Sequence, residues 1–312
     1  MELKDVAIIV FTYGRLDHTK ITLESLASNR GFKNHPVIVY SDGPKAGHEE
    51  KVLSVRNFLK DFRKNHKNIE IKQRTNNLGL EKSIISGITE ALKKYSAVIV
   101  IEDDIRTSPA FLNFMTTMLS KYKDDKRIGS ISGYTHSREI MQIPDSYEYD
   151  IFFVPRTSSW GWATWRDRWE DVDWNVSNIE KFRKDKNEQY NFNKGGKDLS
   201  GMLIKQVEKG IDTWDIQWSY HNFKKNRLTI YPTISYVENI GHDGTGIHCG
   251  ISSSFVNSKL NMKTNLSLPK DVFLDGYLVN KYKRVFEMTP TKFVRLAFNK
   301  AIFEFKKFLK IS

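Results

Sequence analysis

An α/β fold, with a mostly parallel, doubly wound sheet flanked by helices, is what this 312-residue sequence predicts. Three observations lead there. Apolar runs rich in Val and Ile recur through the first hundred residues, helical apolar periodicity fills the stretches between them, and each run ends in polar or glycine-containing residues.

The runs at 6–12, 36–41, 69–74 and 97–101 carry enough β-branched residues for a sheet covered on both faces. Between them, 17–29 carries Ile21, Leu23, Leu26 and Ala27, and 49–65 carries Val52, Leu53, Val55, Phe58, Leu59 and Phe62. The third stretch, 80–94, carries Ile84, Ile85, Ile88, Ala91 and Leu92. All three have helical spacing. Strand, helix, strand in repetition implies right-handed crossovers and a parallel sheet. Ligands of such sheets lie beyond the carboxyl ends of the strands. Four loops arrive there: Thr12-Tyr13-Gly14-Arg15, Ser41-Asp42-Gly43-Pro44, Asn76-Asn77-Leu78-Gly79 and Glu102-Asp103-Asp104. Any one of the first three is also ordinary turn chemistry. After Ser108-Pro109 a helix over 110–122 leads to a strand-like 129–133, and from Ile151 the texture changes. All seven tryptophans follow, with Trp160, Trp162, Trp165 and Trp169 crowded together and Trp174, Trp214 and Trp218 beyond, which predicts a more irregular second lobe.

Composition narrows the class. A hydrophobic content of 39% with 12% aromatic residues supports a sizeable core. The single Cys249 excludes an intrachain disulfide and a cysteine zinc cluster, and reads as a small packing residue. The first apolar run is short and broken by Tyr13, Gly14 and Arg15, so neither a leader nor a membrane span is expected, and the expected location is cytoplasmic. The net charge of +12 is uneven: nine Lys or Arg between Lys281 and Lys310 face only Glu287 and Glu304.

The run Val98-Ile99-Val100-Ile101 enters Glu102-Asp103-Asp104 directly. Adjacent carboxylates at the end of a buried strand repel one another unless solvent or a cation compensates. Mg²⁺ or Mn²⁺ takes one or two carboxylates and keeps positions open for phosphate oxygens, which suits a nucleotide diphosphate. The plainer alternative is an acidic loop ahead of the helix that Ser108-Pro109 begins.

At these residues the chain resembles a known group. Glu102-Asp103-Asp104 with Ser108-Pro109-Ala110-Phe111 is similar to the DXD region of GT-A glycosyltransferases, most closely to its Glu-Asp-Asp form in the β-1,2-N-acetylglucosaminyltransferase I family. The likeness extends to Thr12-Tyr13-Gly14-Arg15, Ser41-Asp42-Gly43, Trp160-Gly161-Trp162, Thr213-Trp214-Asp215 and Tyr231-Pro232-Thr233-Ile234-Ser235. Asn77-Leu78-Gly79 also resembles bacterial family 2 transferases. The resemblance implies a GT-A (Rossmann-like) domain over 1–280, with a nucleotide-sugar-binding half at 1–135 and an acceptor-binding half at 136–280. It also implies residue roles. Asp104 would bind the metal, Asp103 would contact ribose or donor sugar, Thr12 and Arg15 would border the nucleotide, and Asp42 would hydrogen-bond the base; Lys82 is a further donor-side candidate that reads equally as a solvated helix lysine.

An inverting transfer needs a general base for the acceptor hydroxyl. Asp215 matches the first acid of the family's Trp-Asp-Asp-Trp stretch, but the second acid is replaced by Ile216-Gln217, so Asp212 stays open as the alternative base. Trp160, Trp162 and Trp214 are candidate acceptor platforms, against the alternative that Trp214 and Trp218, at i and i+4, form a core stripe; core packing is the reading for Trp165 and Trp169. His248, in the glycine-rich stretch 239–250, is a donor-side candidate on a loop that resembles the one closing over the donor in GT-A enzymes. The other reading is a structural loop with surface histidines.

Residues 281–312 read as a basic amphipathic helix, with Thr289 and Pro290 at the start of its main stretch and Val294, Ala297, Phe298, Ala301, Phe305 and Phe308 at helical spacing. It suits an anionic membrane surface or packing on protein, and no nucleic-acid motif accompanies the charge. The reading is a metal-dependent inverting glycosyltransferase that uses a nucleotide-diphospho sugar, UDP-GlcNAc being favoured by resemblance. Its acceptor is a glycan or lipid-linked glycan of surface polysaccharide synthesis, met at the inner membrane face. A sugar-1-phosphate nucleotidyltransferase needs a glycine-rich loop after the first strand, where only Gly14 stands; a non-catalytic carbohydrate-binding protein would need neither Asp104 nor a base.

Overall fold

The computed structural model describes residues 5–241 and 259–287. The first half builds β1 (Val6–Thr12), α1 (Leu16–Ala27), β2 (Val37–Ser41), α2 (Glu49–Asn65), β3 (Ile69–Gln73), α3 (Leu80–Lys94) and β4 (Ala97–Glu102). β2 pairs in parallel with β1 and β3, and β4 pairs in parallel with the other side of β1. The order β3-β2-β1-β4 therefore reverses direction between β1 and β4, and in open α/β sheets that switch point is where ligands sit.

The chain then adds β5 (Ile105–Thr107), α4 (Phe111–Lys121), β6 (Ile128–Ser132), α5 (Arg138–Met141), β7 (Ile151–Val154), β8 (Trp162–Trp165) and α6 (Arg166–Trp169). α7 (Ile179–Lys184), α8 (Lys186–Phe192), α9 (Leu199–Lys209), α10 (Asp215–Lys224), β9 (Leu228–Pro232), β10 (Val237–Asn239) and α11 (Gly276–Val285) follow. The full sheet runs β3-β2-β1-β4-β8-β6-β9-β7. β8 is antiparallel to both β4 and β6, β9 is parallel to β6, and β7 is antiparallel to β9. One eight-stranded sheet thus continues across residue 135, and strands from both halves share its hydrogen bonds.

Strand periodicity sorts the core into two faces. Val6, Ile8 and Val10 of β1 pack with α1, α2 and α4, while Ala7, Ile9 and Phe11 pack on the other side with Ile84, Ile88, Ala91 and Leu92 of α3. Trp162, Trp169, Trp214 and Trp218 complete the second face. The expected strand at 36–41 begins one residue later because Pro36 has no N–H to give a ladder, and the strand expected over 129–133 is observed at Ile128–Ser132.

Leu278 and Tyr282 of α11 pack on Phe152, Val154 and Tyr231, so residue 281 falls inside a helix docked on the sheet. The rest of the basic segment, 288–312, lies outside the described residues, as does His248. Among the described residues no helix is long and apolar enough to cross a membrane.

Candidate active site

β1 and β4 end side by side, Phe11 opposite Glu102, so Thr12 to Arg15 and Glu102 to Asp104 emerge at one edge. Asp103 and Asp104 are buried, at 6% and 7% exposure. The Asp103 carboxylate accepts from the backbone N–H of Tyr13 at 3.3 Å and from Arg15 Nη2; the same nitrogen donates to Asp104 Oδ2 at 2.9 Å. Thr22 Oγ1 of α1 donates to the Asp103 carbonyl at 2.9 Å, which fixes the turn from behind.

Charge is unevenly balanced here. Burial first, then Asp104, Asp103 and Asp215, hold the Glu102 carboxyl well above the usual range, with Arg15 pulling weakly the other way. Burial also raises Asp103 against the opposing pull of Arg15. Burial works against the Arg15 charge as well, yet Asp103 and Asp104 outweigh it and raise that pKa. Asp215, the candidate base, lies in the first turn of α10 and is among the acids that raise Glu102.

Asp42 is buried at the end of β2 and receives the N–H of Leu78 at 3.1 Å and Asn77 Nδ2 at 3.1 Å. Its carboxylate therefore ties the Asn-Leu-Gly turn to the site edge. Gly43 allows that approach, since an added Cβ would stand 2.3 Å from the Asn76 carbonyl carbon. Thr12 is buried with its hydroxyl donating to the Tyr40 carbonyl at 3.2 Å, a structural bond that leaves the side chain facing inward. Lys82 is exposed in the first turn of α3.

Asp212 is spent elsewhere. Its carboxylate accepts from the backbone N–H groups of Leu80 at 2.9 Å and Glu81 at 2.8 Å, capping α3 just after Gly79, whose φ of +80° suits glycine. Of the two candidate acids, Asp212 thus holds a helix end.

The tryptophans divide. Trp162 is fully buried and stacks on Trp214, itself 2% exposed, with ring centroids 5.0 Å apart. Both belong to the core, correcting the expectation of two sugar platforms, because each ring covers the face a sugar would need. Trp160 is half-buried and meets Tyr134 edge-on at 4.5 Å. Trp162 pairs with Val100, so the chain before it, Trp160 and Gly161, arrives beside the end of β4.

Three features were not singled out in the sequence. An added Cβ on Gly241 would stand 2.3 Å from Asp104 Oδ2 and 3.0 Å from Arg15 Nη1, and the Ile240 N–H bonds the Asp104 carbonyl at 2.8 Å. β10 delivers this segment by pairing with β5. Gln217 Nε2 donates to Glu81 Oε1 at 2.9 Å, joining α10 to α3. The Tyr13 hydroxyl joins His48 Nδ1 at 2.9 Å and accepts the Lys45 N–H at 3.0 Å. Only Gly241 carried a signal, its place at the head of the glycine-rich stretch.

A mostly parallel, doubly wound sheet whose fourth strand runs into Glu-Asp-Asp at the switch point is a GT-A-type fold. The GNT-I family model matches residues 2–191, and the chain belongs to the GNT-I family. No curated protein matches the sequence. Similar solved structures include TarS 1–349 of S. aureus, at 14% identity and TM-score 0.42, with 74% of this chain and 59% of that chain covered. The chain thus matches about three-fifths of TarS 1–349. The same protein solved with UDP-GlcNAc gives 14% identity and TM-score 0.41, over 74% of this chain and 57% of that one. The mannosyltransferase PcManGT from Pyrobaculum calidifontis, in complex with GDP-Man and Mn²⁺, is 12% identical with TM-score 0.42, covering 70% of this chain and 69% of that one.

Proposed function

We propose that this chain is a divalent-metal-dependent inverting glycosyltransferase that moves a sugar from a nucleotide-diphospho sugar to a hydroxyl of a glycan or lipid-linked glycan. The observation that carries the reading is the charge arrangement at the switch point. Asp103, Asp104 and Asp215 all act on Glu102 there, with the Arg15 guanidinium as the counter-charge bonded to Asp103 and Asp104. Such an excess of carboxylate suits a divalent cation.

Among the described residues no group of three or more His, Cys, Asp and Glu side chains could hold a metal ion on its own. The fit is therefore to an ion held by one protein carboxylate, Asp104, with phosphate oxygens completing its shell. Mn²⁺ or Mg²⁺ bound in that way supplies charge neutralisation for the departing diphosphate. Asp103 orients ribose or donor sugar, Asp42 and the turn it holds face the base, Lys82 lies on the donor side, and Thr12 closes the floor. Asp215 takes the proton of the acceptor hydroxyl as its oxygen forms the new bond to the anomeric carbon and the bond to the diphosphate oxygen breaks. Trp160 offers the aromatic face on the acceptor side.

UDP-GlcNAc is the donor the family likeness favours. The basic C-terminal segment favours an anionic membrane surface and hence a lipid-linked acceptor of surface polysaccharide synthesis at the cytoplasmic face. The test is a thermal-shift scan with UDP, GDP and their sugars, with and without Mn²⁺, followed by a donor-hydrolysis screen. Metal-dependent stabilisation by one nucleotide class is expected; its absence for every nucleotide would sink the proposal.

A further inference from the structure

Arg15 stands at the N-cap of α1, and its side chain turns back over the acids instead of out to solvent. Nη2 bridges Asp103 Oδ1 and Asp104 Oδ2, so the carboxylate oxygen that a cation would take already has a positive partner. Nη1 is buried and has no hydrogen-bond partner among the described residues, and a Cβ on Gly241 would lie 3.0 Å from it. A guanidinium has five donors, and a buried one is stable only when they are used. The spare donor therefore calls for an acceptor that arrives from outside.

We infer that Arg15 is a resident counter-ion that keeps a divalent cation off Asp104 until the cation arrives together with a diphosphate. This rests on the donor-site reading above. A bare divalent ion must compete with Nη2 for Asp104 and place two positive charges beside a fixed third. A diphosphate reverses that balance: one of its oxygens takes the idle Nη1, Asp104 Oδ2 is released to the cation, and the cation with a sugar-linked diphosphate adds no net charge. Metal and diphosphate affinities are then coupled through one side chain, reciprocally. Arginine suits the task because its fork serves a carboxylate and a phosphate at once, which a lysine cannot.

The test reads free Mn²⁺ by its electron paramagnetic resonance signal, with no turnover involved. Wild type is expected to leave most Mn²⁺ free when the ion is added alone, and UDP to tighten Mn²⁺ binding by about tenfold or more. Arg15→Met is expected to bind Mn²⁺ alone at least about fivefold tighter than wild type and to gain little from UDP. Arg15→Lys, which keeps the charge but not the fork, is expected between the two. The inference is overturned if Arg15→Met, with a wild-type circular dichroism spectrum, binds Mn²⁺ alone no better than wild type. Should Arg15→Met fail to fold, the lysine variant decides, and equal coupling in it and wild type overturns the inference. Wild type that holds no Mn²⁺ with either UDP or GDP overturns the donor reading and this inference together, an outcome distinct from coupling that survives the loss of Arg15.

Discussion

Replacing Asp212 by Ala separates a helix cap from a catalytic base. The carboxylate accepts two backbone N–H bonds, at 2.9 Å and 2.8 Å, from the first turn of α3. A capping side chain is worth about 1 kcal/mol and a negative charge on a helix N-terminus about another 0.5 kcal/mol. Asp212 is exposed, so water recovers part of each bond. The expected loss is about 1–2 kcal/mol, or roughly 1.5–3 °C in Tm for a chain of 312 residues. Below that Tm, turnover with the donor found in the hydrolysis screen is expected to stay within about threefold of wild type, whereas Asp215→Asn is expected to lower kcat by about 10²–10⁴. Asp212→Asn retains an acceptor oxygen and should recover part of the Tm. The assay is a paired melt and steady-state rate on both acids. An Asp212→Ala enzyme with unchanged Tm and a hundredfold loss of kcat would refute the assignment and make Asp212 the base.

Gly241→Ala pushes a methyl into Asp104 Oδ2, at 2.3 Å before relaxation, so Mn²⁺-dependent stabilisation by UDP should shrink while the protein stays folded; thermal shift reads both. His221 is 7% exposed and stacks on Trp218, and burial, outweighing the attraction of Asp171, pushes it down to about 4. Its folded pKa is below the unfolded value near 6.5, so the neutral ring's contribution is complete above that pH and lost as pH falls toward 4; about 2 kcal/mol should disappear between pH 8 and pH 5. Urea unfolding at the two pH values checks this, with His221→Gln flattening the slope. Trp162→Ala should cost about 3–5 kcal/mol, as large aromatic deletions in cores do, whereas Trp160→Ala, at a half-buried ring packed on Tyr134, should cost clearly less and raise the acceptor KM. Equal losses of stability in both would overturn the division of the tryptophans.

The first sheet half was legible because one signal was enough at each position: Val and Ile runs for β1 to β4, and apolar residues three and four apart for α1 to α3. The place of Glu102-Asp103-Asp104 was legible for a related reason, since the Val and Ile run of β4 ends there beside the end of β1. Partners distant in sequence hid the rest. Asp212 caps a helix whose first turn lies 132 and 131 residues before it, and nothing near Gly210 announces that. Trp162 and Trp214 carried the aromatic chemistry of a sugar platform, and only the pairing of β8 with β4 shows that both point under the sheet. The spacing of Trp214 and Trp218 did hold the core reading, as an i, i+4 stripe.

That buried tryptophan layer also explains how the acidic edge is tolerated. Trp162, Trp214, Trp218 and Trp169 fill the sheet face beneath the site, and Trp214 is the residue immediately before Asp215. Trp214, locked in the core at the N-cap of α10, fixes where that helix begins, and Asp215 is its first residue. Like charges held together in this way cost the empty protein stability, which dense packing below and the Arg15 bridge above offset. Under the proposed function, a cation and a diphosphate entering here would recover that repulsion as affinity, because binding partners that relieve a strained ground state gain the free energy that strain had stored.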